Sequence, residues 1–368
     1  MSAPGRNHPL VSLVIPTKDR CDLLVETLDS VRGQTYAHLE AIVVDDGSSD
    51  GTADYLKTVA AADARIRPLL RQGITGGANA CRNQGAQAAT GEYIIFLDSD
   101  DLLTSECLAT RVEHILEHPQ LDFAVFCCRL FSDRVADTHL TWNTPASADA
   151  LDRFLIVDNP WQTSGPIYTR QAVARIGPWD ERLLSWQEYE YNVRSLFMGL
   201  KYTATNVVDY HYRLPFHRDS ATTAKHARPD HVKSRCQMIL SILDTASQSK
   251  AFTPDRAIRL AGLCMSIAEL AAARVNAAHA ARVWRACRKH GLITRAQLLQ
   301  GLAFFRVCKI PRLRYRMKKY LQAHWPAELF PPVSSTLFHA PITPDMSGPA
   351  LVGSVSSDIA RTTEVGAG

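Results

Sequence analysis

The sequence predicts an α/β fold, an open and largely parallel sheet with helices on both faces, followed by a wholly helical C-terminal region. Three observations carry this. Short apolar, β-branched runs alternate with helix-spaced segments through the first hundred residues. Acidic residues collect at the ends of those runs. From about residue 230 the β-branched runs stop, and Ala, Leu and Arg take over.

Leu10 to Ile15 is an apolar run closed by Pro16 and reads as a buried strand. Leu23, Leu24, Thr27, Leu28 and Val31 then recur at helical spacing up to Gly33. Ala41 to Val44 is a second strand, ending in Asp45-Asp46-Gly47-Ser48, after which Thr52 is placed to cap a helix running toward Ala60. A third strand fits Ile66 to Leu70. Gly76-Gly77 turns into an Ala-rich helix over Ala78 to Ala89, which Gly91 stops, and Tyr93 to Leu97 is a fourth strand. The middle is less regular, with a helix around Glu188 to Met198 and strand-like pieces around Ser164 to Tyr168 and Tyr202 to Tyr212. The resulting units are residues 1–225, a helical region over 226–325, and a tail over 326–368. The tail, rich in Pro, Ser, Thr and Gly, is expected to be mostly disordered.

A chain of 368 residues can bury a sizeable core, and a net charge of +4 is too small to argue for nucleic-acid binding. Nine cysteines, an odd and scattered set without a C-x-x-C pair, suit free thiols in a reducing compartment. Residues 1–9 lack an apolar signal core, and no window approaches a membrane span. These features predict a cytoplasmic protein.

Ligands of open α/β sheets bind beyond the carboxyl ends of the strands, where Thr17, Asp19, Asp45, Asp46, Asp98 and Asp100 collect. Asp98, Asp100 and Asp101 repel one another unless a cation or donors offset them. Hard cations such as Mg²⁺ or Mn²⁺ prefer such oxygens and share them with phosphates; an acidic turn at a helix start is the plain alternative. At Asp45-Asp46-Gly47, a carboxylate can accept from a base or ribose while the glycine admits close approach; an Asp-rich turn is again the alternative. The Gly76-Gly77 turn opens a helix whose free N–H groups suit an anion, and Arg82 follows within reach of phosphate. Neither a P-loop nor a dinucleotide glycine motif is present.

Taken in order, Val11 to Thr17, Gln34-Thr35-Tyr36, Val43 to Thr52, Arg82-Asn83-Gln84-Gly85 and Gly91 to Asp101 resemble glycosyltransferase family 2 over roughly residues 10 to 220. That family comprises inverting enzymes of the Rossmann-like GT-A fold. The resemblance implies a sugar transferred from a nucleotide-sugar, most often a UDP-sugar, to a hydroxyl of a glycan or lipid-linked glycan in cell-envelope polysaccharide synthesis. It implies donor contacts from Thr17, Asp19, Asp46, Arg82 and Asp98. It also implies a divalent metal, Mn²⁺ or Mg²⁺, on the D-x-D pair, with Asp100 the direct ligand and Asp98 its support. Gly177 to Glu190 looks like the family's base segment, which puts Glu188 as general base with Glu190 as rival; Gln187 stands where an acid is common. Tyr210 to Ser220 looks like a further family stretch, in which His217 completes the metal or diphosphate shell or else caps the surface. Trp161, Gln162 and Thr163 fall toward the expected acceptor side. A non-catalytic nucleotide-sugar binder on the same fold, or a GT-A-like nucleotidyltransferase, are the other readings.

Residues 281–320 hold twelve Lys or Arg and no Asp or Glu, with large apolar residues interleaved. This composition fits peripheral contact with the inner face of an anionic membrane, a solvated helix face or an oligomer contact; no nucleic-acid-reading motif accompanies it. Pro311 interrupts any single long helix there.

Overall fold

The computed structural model describes residues 8–71, 76–142, 148–214 and 228–330, and the backbone of 343–344. At its centre lies β1 (Val11–Thr17), buried along its whole length. It pairs in parallel with β2 (Leu39–Asp45) on one side and β4 (Tyr93–Phe96) on the other, and β3 (Ile66–Leu70) extends the parallel half beyond β2. Helices α1 (Cys21–Arg32), α2 (Thr52–Ala62) and α3 (Gly77–Ala88) make the crossovers. Past β4 the sheet becomes antiparallel: β8 (Pro166–Thr169), β6 (Phe123–Phe131) and β7 (Leu140–Trp142) follow in that order. Here β6 and β7 form a return rather than a helical crossover, so the whole sheet is mixed. The long β9 (Tyr202–Arg213) runs parallel to β6, and its far end pairs with β5 (Leu102–Leu103).

Two local expectations change. Pro16 does not close β1 but lies within it, opposite Val44. Pairing with β4 stops at Val14, so beyond that point one edge of β1 is free of ladder bonds and a missing N–H costs nothing there. Thr52 is not the cap of α2: Gly51 takes that position in the left-handed region at φ 90°. The Asp50 carboxylate accepts from the Thr52 amide (3.2 Å) and hydroxyl (2.6 Å) instead. A carboxylate two residues before the first turn satisfies a donor that Thr52 cannot reach from inside the helix.

Helix α4 (Cys107–Glu117) packs with α1 and α2 on one face of the sheet, while α5 (Ala150–Leu155), α6 (Arg170–Ile176) and α7 (Gln187–Phe197) share the other face's core with the helical region. The C-terminal region comprises α8 (Pro229–Ala246), α9 (Pro254–Arg274), α10 (Ala277–Lys289), α11 (Arg295–Val307) and α12 (Pro311–His324). Their starts follow the sequence closely. Thr253 and Asn276 cap α9 and α10, Thr294 and Gln297 form a capping box on α11, and Pro311 opens α12. One continuous apolar core joins Val14, Val44 and Phe96 on the sheet, through Trp161, Trp179 and Tyr191, to Ile239, Leu263, Trp284 and Leu329. Leu329 and Phe330 join this core: a 3₁₀ turn at Ala327–Leu329 follows Trp325, which stacks on Trp284. Of the remaining tail only the backbone of Thr343–Pro344 is described, paired with β7 as β10. No helix among the described residues is long and apolar enough to cross a membrane.

Candidate functional site

The carboxyl ends of β1, β2 and β4 open onto a cavity of about 350 Å³. Thr17, Asp46, Arg82, Asp98 and Asp100 all line it. The hydroxyl of Thr17 is buried and has no hydrogen-bond partner among the described residues, so it is available to whatever enters.

At the β2 end each carboxylate has a task in the protein. Asp45 accepts from the amide of Ser48 (3.1 Å) and from its hydroxyl. Asp19, in the left-handed region at φ 47°, accepts from the Ser49 amide (2.7 Å) and hydroxyl (3.1 Å). It therefore ties the β1 and β2 loops together rather than lining the cavity. Asp46 lies on the wall, and its two oxygens accept from the amides of Gly76 (3.2 Å) and Gly77 (2.9 Å), with Arg71 3.5 Å away. The N-terminal donors of α3 are thereby partly neutralised by a protein carboxylate.

Helix α3 can lie close to the sheet because Gly85 carries no side chain; a Cβ there would strike Val14. From this position Arg82 donates to Asp98 (2.7 Å) and to Asn79 (3.2 Å), and its guanidinium lies over the Trp179 ring at 4.6 Å. Asn83 exchanges hydrogen bonds with the backbone of Trp179 (2.8 and 2.9 Å) and donates to Glu181 (2.8 Å), while Asn79 donates to the carbonyl of Asp180 (2.7 Å). One helix thus fixes both the D-x-D turn and the segment that leads into α7.

Asp100 pairs with Arg20 (3.1 Å), and its carbonyl accepts from Arg213 (3.1 Å). Asp101 points inward and accepts from Ser164 (2.6 Å) and from the Arg213 amide (3.2 Å). Burial raises the carboxyl of Asp100 above the usual range; Arg20 opposes the shift and Asp98 adds to it. Burial, then Asp100 and Asp98, push Asp101 up further. Tyr212 also lines the cavity. Burial first, then the charges of Asp101, Asp100, Asp98 and Glu188, push its phenol well up, so it remains a neutral hydroxyl among carboxylates. The end of β9 that presents Tyr212 and Arg213 is held by a buried Arg111–Asp209 pair at 2.7 and 2.8 Å.

Two carboxylates side by side, each with one oxygen unpaired among the described residues, suit a hard cation that completes its shell with phosphate and water. No group of three or more His, Cys, Asp or Glu able to hold a metal is present among the described residues. Among the described residues, Asp98 and Asp100 would leave part of a cation's shell for phosphate or water. His217 lies outside the described residues.

Helix α7 begins after Trp186, itself left-handed at φ 59°. Its two early carboxylates differ. Glu190 is buried and held by Arg194 through two bonds of 2.8 and 3.0 Å. Glu188 makes no hydrogen bond or ion pair to another residue's side chain among the described residues, and part of its surface remains accessible. Burial raises its carboxyl; its own backbone amide and Arg82 oppose the shift, and Asp98 adds to it. Gln187 accepts from Arg82 at 3.4 Å. Trp161, Gln162 and Thr163 are all buried, and Trp161 packs against Phe154, Phe123 and Tyr202 as a core residue.

The sequence reading did not single out Lys18, Arg20, Tyr212 and Arg213 as site residues, and all four line the cavity. Lys18 and Arg20 were legible as cations just past a strand end; Arg213 comes from the last residue of a distant strand, which gives no local signal. Asn79 and Asn83 were in view only as part of a string, without a task.

Residues 12–175 match the family model described as glycosyl transferase family 2. The GalNAc(5)-diNAcBac-PP-undecaprenol beta-1,3-glucosyltransferase of Campylobacter jejuni is 38% identical over 105 residues, 28% of this chain and 34% of the relative. The putative teichuronic acid biosynthesis glycosyltransferase TuaG of Bacillus subtilis is 38% identical over 109 residues, 30% and 43% of the two chains. The chain thus spans less than half the length of these curated relatives. The PGL/p-HBAD biosynthesis glycosyltransferase of Mycobacterium bovis is 29% identical over 188 residues, 50% of this chain and 69% of the relative. Among solved structures, S. aureus TarS 1-349 in complex with UDP-GlcNAc aligns with a TM-score of 0.61 at 17% identity, over 86% of this chain and 92% of that one. The alignment shows a shared GT-A fold that includes the helical region.

Proposed function

We propose that this chain, whose residues 12–175 belong to glycosyl transferase family 2, transfers a sugar from a UDP-sugar to a hydroxyl of a glycan or lipid-linked glycan, with inversion at the anomeric carbon. The supporting observation is Glu188, a carboxylate with no partner in another side chain among the described residues, whose charge is felt by Arg82 and Asp98 of the cavity wall. An unpaired, desolvated carboxylate costs stability, and its raised pKa suits a base that must take up a proton near neutrality.

In this reading the nucleoside lies along Thr17 and Asp46, and the diphosphate lies among Lys18, Arg20 and Arg213. Asp19 acts on the donor indirectly, through the loop it ties to Ser49. Glu188 removes the proton of the acceptor hydroxyl as that oxygen forms its bond to the anomeric carbon. The bond from that carbon to the nucleoside diphosphate breaks, and the diphosphate leaves with the electron pair. Attack opposite the leaving group inverts the centre. A divalent cation bound to Asp100, supported by Asp98, would offset charge on the diphosphate. Arg82 holds Asp98 in place and reaches toward Glu188 through Gln187. The relatives' printed names concern an undecaprenol-linked glycan and teichuronic acid biosynthesis, which supports a glycan or lipid-linked acceptor.

The test is a thermal-shift screen of nucleotide sugars with and without Mn²⁺, followed by transfer assays on the donor that binds. A ligand selective for the native state raises its stability by mass action. A UDP-sugar shift that needs Mn²⁺ and disappears in Asp100→Ala is expected, with the opposite anomer in the product. Wild-type turnover by Asp100→Ala, or retention of configuration, would overturn the reading.

A further inference from the structure

The segment from α11 to α12 carries a feature that the transfer reaction leaves unused. Among the described residues, twelve large apolar side chains are conspicuously exposed, and five of them fall here: Leu299 (67%), Ile310 (50%), Leu313 (45%), Tyr315 (68%) and Tyr320 (50%). Such a concentration calls for a cause, since single exposed apolar residues are normal but clusters are not.

Helix α12 divides sharply by face. Arg314, Met317, Lys318 and Leu321 turn inward: Leu321 is fully buried, and Arg314 (2.7 Å) and Lys318 (2.9 Å) both clasp Glu269 of α9. That carboxylate fixes the rotation of the helix about its axis. Arg312, Leu313, Tyr315, Arg316, Lys319 and Tyr320 are left exposed on the other face. The three cations recur at i, i+4 and i+7, so they stack in one row; Tyr315 flanks the row on one side, Leu313 and Tyr320 on the other. No acidic residue interrupts 281–320.

We propose that the exposed face of α12, with Ile310 at its start, is a docking surface for an anionic lipid bilayer. The helix would lie in the plane of the headgroups, its cations on lipid phosphates and its aromatic and aliphatic side chains at the acyl boundary. Charge complementarity selects this occupant. A solvated helix face has no use for tyrosines that are half or more exposed, and a polyanion such as RNA has no use for Ile310 and Leu313. Tyrosine beside lysine and arginine is the composition of an interfacial helix. The biological purpose, presenting the donor site to a lipid-linked acceptor, rests on the transferase reading; the binding itself does not.

The test is co-sedimentation of the full chain with vesicles of phosphatidylcholine mixed with phosphatidylglycerol, against pure phosphatidylcholine, at low and high salt. Binding to the mixed vesicles alone, weakened by salt, is expected. The triple variant Arg312→Glu, Arg316→Glu, Lys319→Glu should lose on the order of 30-fold or more in partitioning, because each cation near an anionic surface contributes several-fold. The pair Leu313→Ser and Tyr315→Ser should weaken binding at all salt concentrations. All five positions are exposed, so each variant should keep the wild-type melting temperature and donor hydrolysis rate in solution. Equal binding to both vesicle types, no binding, or a triple variant that binds like wild type would overturn the proposal. So would capture of RNA without vesicle binding. Vesicle binding without any donor hydrolysis would leave this surface standing and remove the transferase reading instead.

Discussion

The cavity wall and the start of α7 are built on opposite electrostatic plans. On the donor side most carboxylates have a protein partner: Asp45 and Asp19 in the loop, Asp46 on the α3 amides, Asp98 on Arg82 and Asp100 on Arg20. At the start of α7 Glu190 is equally satisfied, but Glu188, two residues away, has no partner in another side chain among the described residues. Paired carboxylates hold geometry and set a fixed charge balance for an incoming diphosphate. A carboxylate without such a partner, near other charges, is a functional-site candidate. Under the proposed transfer mechanism, the contrast separates residues that shape the site from the candidate general base.

The sharpest way to break this contrast is Glu188→Gln. Loss of a general base predicts a kcat reduced by about 10³-fold, while donor affinity stays unchanged because the donor wall is untouched. Its wild-type pH profile should show an acid limb above the ordinary glutamate range, since burial raises this carboxyl. Stability should move the other way. The folded-state pKa is raised, so wild type is most favoured below the unfolded glutamate pKa and loses stability as pH rises through the folded value. Glu188→Gln should thus melt higher than wild type at neutral pH and alike at low pH. A variant that is inactive and also less stable at neutral pH would place Glu188 with the structural carboxylates.

Glu190→Gln should do the reverse. Breaking the Glu190–Arg194 pair, buried on the glutamate side, predicts a loss of about 3 kcal/mol by denaturant unfolding. The kcat per folded molecule should remain within a few-fold of wild type. A loss of kcat matching that of Glu188→Gln, with stability intact, would exchange the two roles.

Asn83→Ala tests the bridge between the sides. It removes hydrogen bonds to Trp179 and Glu181 and leaves buried backbone groups unpaired, a cost of about 2 kcal/mol. Because Asn83 ties α3 to the segment leading into α7, kcat should fall more than donor affinity does. Equal falls in both would mean that α3 supports only the donor wall.

Much of this was legible locally. The buried strands announce themselves as β-branched runs, and the helix starts at Thr253, Asn276, Thr294 and Pro311 follow from capping chemistry that spans only a few residues. Even the tie on Glu190 was readable, because Arg194 stands four residues on along a helix. Strand ends place Thr17, Asp46, Asp98 and Asp100 at one edge of the sheet for the same short-range reason.

What the sequence by itself determined is therefore the first four strands and their crossover helices, the helical character of the C-terminal region and the edge at which the acidic residues gather; β6 and α4, between Asp101 and Ser164, came only from the structure. Only the tertiary structure decided which of those acids is satisfied and which is left over. The partners that decide it arrive from farther along the chain: Arg20 to Asp100 across 80 positions, the Gly76 and Gly77 amides to Asp46 across 30 and 31, and Arg82 to Asp98 across 16. Periodicity and capping act over a turn or two of chain, whereas a carboxylate's charge is set by whichever donors packing brings within about 3 Å of it. The same holds at α12, where Glu269 of another helix selects which cations turn inward and which face remains exposed.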